Sequence, residues 1–117
     1  MKPINSIAVV LLLLASCKSA SKMPMYYWSS YDDRTYRVIK SNEAKDIQKL
    51  METYNEILMN DAKSSRAMPP PGVCADYGFF LVKEGKADEG KKWLEKEKQL
   101  YPESVIFIDR ILKMTEK

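Results

Sequence analysis

Histidine is absent from the 117 residues, and cysteine occurs only twice, at Cys17 and Cys74. The chain therefore lacks the side chain that most often serves as a general base and as a metal ligand. Its four glycines form no phosphate-binding loop, and its methionines are scattered rather than clustered as a soft-metal site requires. We accordingly expect no catalytic residues, no metal site and no cofactor, and we predict that the protein is not an enzyme.

Strong charge of either sign is also missing. The formal net charge is +3, without a basic block, which argues against nucleic acid as a partner. The apolar run at residues 7–14 is far shorter than the ~20 residues that a membrane-spanning helix needs. We therefore expect a water-soluble domain after this run.

The first residues have the parts of a secretory signal. Residues 1–16 contain one early cation, Lys2, then the apolar run, then small residues. The sequence Leu-Ala-Ser before Cys17 resembles the lipobox of bacterial lipoproteins. This resemblance implies cleavage before Cys17, a covalent lipid on its thiol, and a lipidated tether over residues 17–24. An ordinary cleaved signal, with an incidental Cys17, is the alternative.

A lipid anchor would determine the location of the domain. One fatty chain gives only marginal membrane residence, whereas two or three chains on Cys17 would make attachment effectively permanent. The protein would then lie outside the cytoplasm. Lys18 stands where an aspartate favours inner-membrane retention in enteric bacteria, so we expect the outer membrane, facing the periplasm.

Residues 25–40 form an aromatic N-terminal segment, with five of the chain's twelve aromatic residues between Tyr26 and Tyr36. A disordered tether would contain few aromatic residues, so this segment should be ordered. It either fills an open edge of the domain or binds a partner, and a position near lipid headgroups is a third interpretation. The candidate partner-binding residues are Tyr27, Trp28, Tyr31 and Tyr36.

Residues 41–117 show the apolar spacing of three and four residues that is typical of amphipathic helices. Four helices are predicted: residues 43–64, residues 73–84, the stretch between Asp88 and Pro102, and residues 105–115. No segment alternates for long enough to indicate a strand. The fold class is therefore all-α, a small bundle of about four helices, with Cys74 as a buried core residue.

The window of residues 71–104 resembles one tetratricopeptide repeat. The matching positions are Tyr77, Gly78, Leu81, Gly90, Leu94 and Pro102. The two glycines would allow antiparallel helices to cross closely, and Pro102 would set the following turn. Glu97 occupies an inward position that is normally small, so we expect it to pair with Arg110 or Lys98. A generic helical hairpin is the alternative, and one repeat needs flanking helices to cover its faces.

Several motifs together resemble the bacterial lipoprotein family of domain of unknown function 4810. They lie at residues 27–33, 70–72, 77–78, 85–89, 97–98, 101–104 and 107–110. The family has no established activity, so the resemblance implies no catalytic residues. Its members are often encoded beside a lipoprotein similar to the curli secretion channel, which implies an envelope complex. We expect a protein–protein interaction or assembly subunit, and the alternative is a small-ligand or lipid carrier with an inter-helix groove.

Overall fold

The computed structural model describes residues 22–117, so the predicted signal and Cys17 lie outside the described residues. This part of the chain contains helices and no strand, which confirms the all-α prediction. The helices are α1 (Tyr31–Ser41), α2 (Ala44–Met59), α3 (Val73–Lys83), α4 (Ala87–Leu100) and α5 (Val105–Thr115). Single 3₁₀ turns follow α2 at Asp61–Lys63 and α4 at Pro102–Ser104.

The four helices predicted within residues 41–117 are present as α2 to α5, and α1 is an additional helix that lies mostly in the segment at residues 25–40. Only Tyr31 and Val38 of α1 pack against the core, whereas Tyr36 and Ile39 face solvent. Two inward apolar residues are too few to repeat the spacing of three and four residues by which the other helices were predicted. The spacing criterion therefore fails to detect α1.

Helices α1 and α2 form a hairpin with a two-residue connection. Asn42 adopts the left-handed conformation that ends α1, and its N–H donates to the Val38 carbonyl. The Ser41 hydroxyl donates to the Asp46 carboxylate and accepts from the Glu43 N–H, so it joins the start of α2 to the end of α1. The short connection and these bonds keep the two helices adjacent.

Helices α3 and α4 form a second hairpin in which the two backbones touch. A Cβ atom at Gly78 would lie 2.6 Å from the Gly90 carbonyl oxygen, and one at Gly90 would lie 2.5 Å from the Gly78 oxygen. Both distances are far below normal contact, so a side chain at either position would force the helices apart. The crossing therefore requires glycine at these positions or a shift of the backbone.

The core has two clusters that share α3. The first combines Leu50, Tyr54 and Ile57 of α2 with Val73, and the second combines Ala75 with Leu94, Ile108 and Ile111. Helix α3 contacts α2 on one side and α5 on the other, while α5 also contacts α4. The domain is thus a series of two hairpins and one closing helix.

Glu97 lies inward as predicted, with 2% of its surface exposed, but the predicted pairing with Arg110 or Lys98 is wrong. Its Oε1 accepts a hydrogen bond of 2.7 Å from the N–H of Gly72, immediately before α3. The first amides of a helix have no intrahelical acceptor, and the Glu97 carboxylate supplies one. The Lys98 ammonium instead lies 2.7 Å from a carboxylate oxygen of Asp109.

The connection between α2 and α3 is held to the rest of the domain at several points. The buried Tyr101 hydroxyl, just after α4, donates to the Pro69 carbonyl over 2.6 Å. Burial is the main reason that the pKa of Tyr101 is raised. Together with the bond from Gly72 to Glu97, this contact fixes the proline-containing connection against the end of α4.

Candidate interaction surfaces

The four aromatic residues predicted to bind a partner do not form one surface. Tyr31 and Tyr27 are half-buried, whereas Trp28 is 41% exposed and Tyr36 is more exposed still. Tyr36 lies on the outer face of α1, where the Lys40 ammonium is 6.0 Å from its ring centre. Tyr27 and Tyr31 therefore pack against the domain, as the first interpretation of the segment expects. Trp28 and Tyr36 have exposed surface that a partner could contact.

A row of aromatic rings runs from the N-terminal segment through four helices. The ring centres of Trp28 and Tyr31 are 5.1 Å apart, and those of Tyr31 and Tyr54 are 6.0 Å apart. The row continues from Tyr54 to Tyr77 over 6.3 Å, and from Tyr77 to Trp93 over 5.6 Å. Tilted rings at these separations are favourable contacts. The inner aromatic residues are therefore part of the core.

The N-terminal segment is attached to α2 and to the connection that follows it. The Tyr27 hydroxyl and the Ser29 hydroxyl donate to the two carboxylate oxygens of Glu56, over 2.7 and 2.8 Å. These two bonds lower the pKa of Glu56. The N–H of Ser65 also donates to the Pro24 carbonyl over 2.8 Å. The segment thus folds back onto the domain rather than extending away from it.

An exposed surface remains around this segment, and we call it the N-terminal patch. It consists of Met23, Met25, Trp28, Met59, Lys63 and Arg66. The Lys63 ammonium lies 4.9 Å from the ring centre of Tyr27, and the Arg66 guanidinium lies 5.8 Å from that of Tyr26. Two cations therefore lie over aromatic residues whose neighbours in the chain, Met25 and Trp28, are exposed apolar side chains.

A second candidate surface is the α3–α5 groove. Its lining residues are Ala75, Asp76, Phe79, Phe107, Ile111 and Met114, and its volume is about 330 Å³. Phe107 is 63% exposed and Met114 is 62% exposed. Large apolar side chains with this exposure can contribute much of the contact energy when a partner covers them.

Asp76 is the one acidic residue among those lining the groove. The Tyr54 hydroxyl donates to its Oδ2 over 3.4 Å. Asp76 is exposed as a residue, but the surrounding protein desolvates its carboxylate and so raises its pKa, and hydrogen bonds from Tyr54 and Tyr31 partly oppose this rise. The ionised Asp76 could accept a hydrogen bond from a ligand or pair with a cation. The groove therefore offers apolar walls with one polar anchoring point.

Sequence reasoning missed this groove. Phe107 and Met114 lie outside the inward stripe of α5 that contains Ile108 and Ile111. The sequence does show large apolar residues beside the core stripe of α5, which can indicate an exposed apolar surface. It does not show that α3 supplies the opposite wall of a groove. That information depends on how α5 is placed against α3.

The repeat-like positions are mostly in the core. Gly78 and Gly90 meet at the helix crossing, Leu81 and Leu94 are buried, Tyr77 is half-buried in the aromatic row, and Pro102 opens the 3₁₀ turn after α4. The two glycines therefore hold α3 against α4, Tyr77 links this hairpin to α2, and none of these positions lines the α3–α5 groove.

Within residues 22–117, no three His, Cys, Asp or Glu residues are placed to hold a metal ion. Cys74 is buried as a free thiol, and burial raises its pKa to about 12. Over the same residues, no helix is both long enough and apolar enough to cross a bilayer.

Over the described residues 22–117, the fold is a small all-helical domain of two hairpins and a closing helix, with an apolar groove between α3 and α5. A family model described as domain of unknown function (DUF4810) matches residues 25–111, and the chain belongs to this family. No curated protein and no solved structure gives a significant match to the chain.

Proposed function

We propose that the protein is a lipid-anchored lipoprotein of the cell envelope that binds another envelope protein as an assembly subunit. The exposed Phe107 and Met114 in the α3–α5 groove are the observation on which this proposal rests. Side chains of this size normally lie against other side chains, and a partner would supply them. The resemblance to a lipobox at Cys17 supports the anchor, and Lys18 supports an outer-membrane location facing the periplasm.

We further propose that the domain is tetratricopeptide-like. The support comes from its consecutive helical hairpins and from the close crossing at Gly78 and Gly90. In repeat proteins, each unit leaves a face that the next unit covers. Helix α5 follows the second hairpin, and its exposed Phe107 offers an apolar surface that a further helical unit or a partner could cover.

The groove favours a partner segment of defined chemistry. Its walls would receive two or more apolar side chains, and Asp76 would pair with a Lys or Arg of the same segment. The family's association with a lipoprotein similar to the curli secretion channel makes such a lipoprotein the first partner to test. A small-ligand or lipid carrier is the alternative, because a groove of about 330 Å³ could also hold an apolar small molecule.

Photo-crosslinking in cells tests the partner proposal. A photoreactive residue at Phe107 should join the chain to one envelope protein, whereas the same residue at exposed Lys49 on α2 should not. Phe107→Ser should abolish stoichiometric capture of that protein from detergent-solubilised membranes. The matched control is Ile39→Ser, which removes an exposed apolar residue from α1 and should leave capture unchanged.

Different results would contradict the proposal. Crosslinking that is equal at Phe107 and Lys49 would remove the groove as the contact site. A bound small molecule, with no protein captured, would favour the carrier function. Mass spectrometry of the mature N-terminus tests the anchor separately, and an unmodified Cys17 thiol would refute it.

A further inference from the structure

The N-terminal patch combines apolar residues and cations in a way that the protein partner does not explain. Met59 at the end of α2 is 72% exposed, and Met23, Met25 and Trp28 are exposed beside the start of the described chain. None of these four residues lines the α3–α5 groove. A second contact surface of different chemistry therefore needs its own explanation.

The patch is part of the folded domain rather than a loose tail. The N–H groups of Ser65 and Arg66 donate to the carbonyl groups of Pro24 and Met25, over 2.8 and 3.4 Å. The adjoining residues are held through Glu56 of α2, which accepts from Tyr27 and Ser29. Since the backbone is already fixed, contact with a surface would cost little further ordering.

The charged groups of the patch suit an anionic surface. Lys63 and Arg66 lie over the rings of Tyr27 and Tyr26, so each cation sits beside an aromatic side chain. Glu56 accepts from the hydroxyls of Tyr27 and Ser29, and these bonds lower its pKa, so the two cations lie near one fixed anion. Tryptophan, tyrosine and cations are the side chains that settle at the boundary between hydrocarbon and headgroups.

The position of the patch in the chain identifies the surface. The described chain begins at Lys22, five residues after Cys17. At ~3.6 Å per residue, this stretch spans at most about 18 Å, so an anchored Cys17 would hold the patch next to the lipid headgroups. A lipid surface is thus the first surface that the patch would meet.

We propose that the N-terminal patch lies against the membrane, with Trp28 and the methionines at the headgroup boundary and Lys63 and Arg66 on anionic headgroups. This inference depends on the lipid anchor of the proposed function. It assigns an orientation to the domain, with the patch facing the lipid and α5 left available to a protein partner.

Fluorescence quenching in vesicles tests this orientation. The full lipidated chain is placed in phosphatidylglycerol vesicles that contain lipids brominated near the headgroup. Trp93→Phe leaves Trp28 as the only tryptophan, and Trp28→Phe leaves the half-buried Trp93 of α4 as the matched reporter. We expect loss of most Trp28 emission and little loss from Trp93. Equal quenching of the two reporters would overturn the inference.

A charge change provides the second measurement in the Trp93→Phe background. Lys63→Ser together with Arg66→Ser should reduce Trp28 quenching in anionic vesicles and have little effect in vesicles of phosphatidylcholine alone. Lys92→Ser, at an exposed position on α4, is the control and should change neither value. An unchanged Trp28 signal in the double variant would refute the role of the two cations.

Flotation of the vesicles separates the two proposals. A chain that floats with the vesicles but shows no quenching of Trp28 would keep the anchor and refute the patch. If the chain isolated from its own cells carries an unmodified Cys17 thiol and does not float with the vesicles, the anchor and this inference are both refuted. Crosslinking of a photoreactive residue at Met25 to a protein instead of lipid would also overturn the assignment.

Discussion

Glu97 is the buried acid whose removal tests the packing of α4 against the start of α3. Glu97→Ala removes the acceptor of the Gly72 N–H, which lies 2.7 Å away, and leaves that half-buried donor without its partner. An unsatisfied buried donor costs about 1–3 kcal/mol, and loss of a helix cap costs about 1 kcal/mol. Relief of a buried charge offsets part of this loss. We expect a net decrease of about 2 kcal/mol in the free energy of unfolding.

The decrease should be visible in thermal melting. For a domain of this size, each kcal/mol corresponds to about 4–8 °C, so the Glu97→Ala variant should melt about 8–16 °C lower. Glu97→Gln keeps an oxygen that can accept from Gly72 and should lose less stability. Glu95→Ala is the matched control on the same helix, since Glu95 is exposed and contacts Lys98 at the surface. It should change stability by less than about 1 kcal/mol.

The pH dependence has a definite sign. Burial raises the pKa of Glu97 above 4.5, the ordinary value for glutamate, and bonds from backbone N–H groups only partly oppose the rise. Between 4.5 and its higher folded pKa, the folded state binds more protons than the unfolded state. The stability of wild-type protein relative to Glu97→Gln should therefore fall as the pH rises through that window.

Urea denaturation, followed by circular dichroism at several pH values, measures both effects. The reasoning would be refuted if Glu97→Ala were as stable as the Glu95→Ala control. It would also be refuted if the stability of wild-type protein relative to Glu97→Gln rose with pH, since that result would require a lowered pKa.

Three further predictions concern other contacts. Gly78→Ala should lower the free energy of unfolding by about 1–2 kcal/mol despite the higher helix propensity of alanine, because its Cβ would lie 2.6 Å from the Gly90 oxygen. A melting temperature equal to or above that of the wild-type protein would contradict the close crossing. The buried Cys74 thiol, with its pKa near 12, should resist iodoacetamide at pH 8 until denaturant is added, and mass spectrometry of its peptide checks this. A double-mutant cycle of Tyr27→Phe and Glu56→Gln should give a coupling energy of less than about 1 kcal/mol, because the pair is exposed. This coupling should disappear as the pH falls through the lowered pKa of Glu56.

The sequence predicts the helices that have a clear inward stripe. Leu50, Tyr54 and Ile57 mark α2, and Ile108 and Ile111 mark α5, because buried residues on one face recur every three or four positions. The predicted helix over residues 43–64 nevertheless runs past the end of α2. The chain leaves the helix at Asn60 and continues as a single 3₁₀ turn.

The spacing of apolar residues cannot predict contacts between residues that are far apart in the chain. Glu97 was predicted to be inward from its position in the helical pattern, but its acceptor role depends on Gly72, which lies 25 residues earlier. A search for opposite charges favours Lys98 and Arg110 and overlooks backbone donors. The α3–α5 groove was missed for the same reason, since its walls come from separate helices.

The aromatic row has a consequence for how the domain melts. Chains of helical hairpins can lose their end units first, because each unit touches only its neighbours. Here Tyr31, Tyr54 and Tyr77 join both hairpins, and detaching either one would expose rings on the other to water. Partial opening is therefore penalised, and α1 to α4 should unfold in a single all-or-none step.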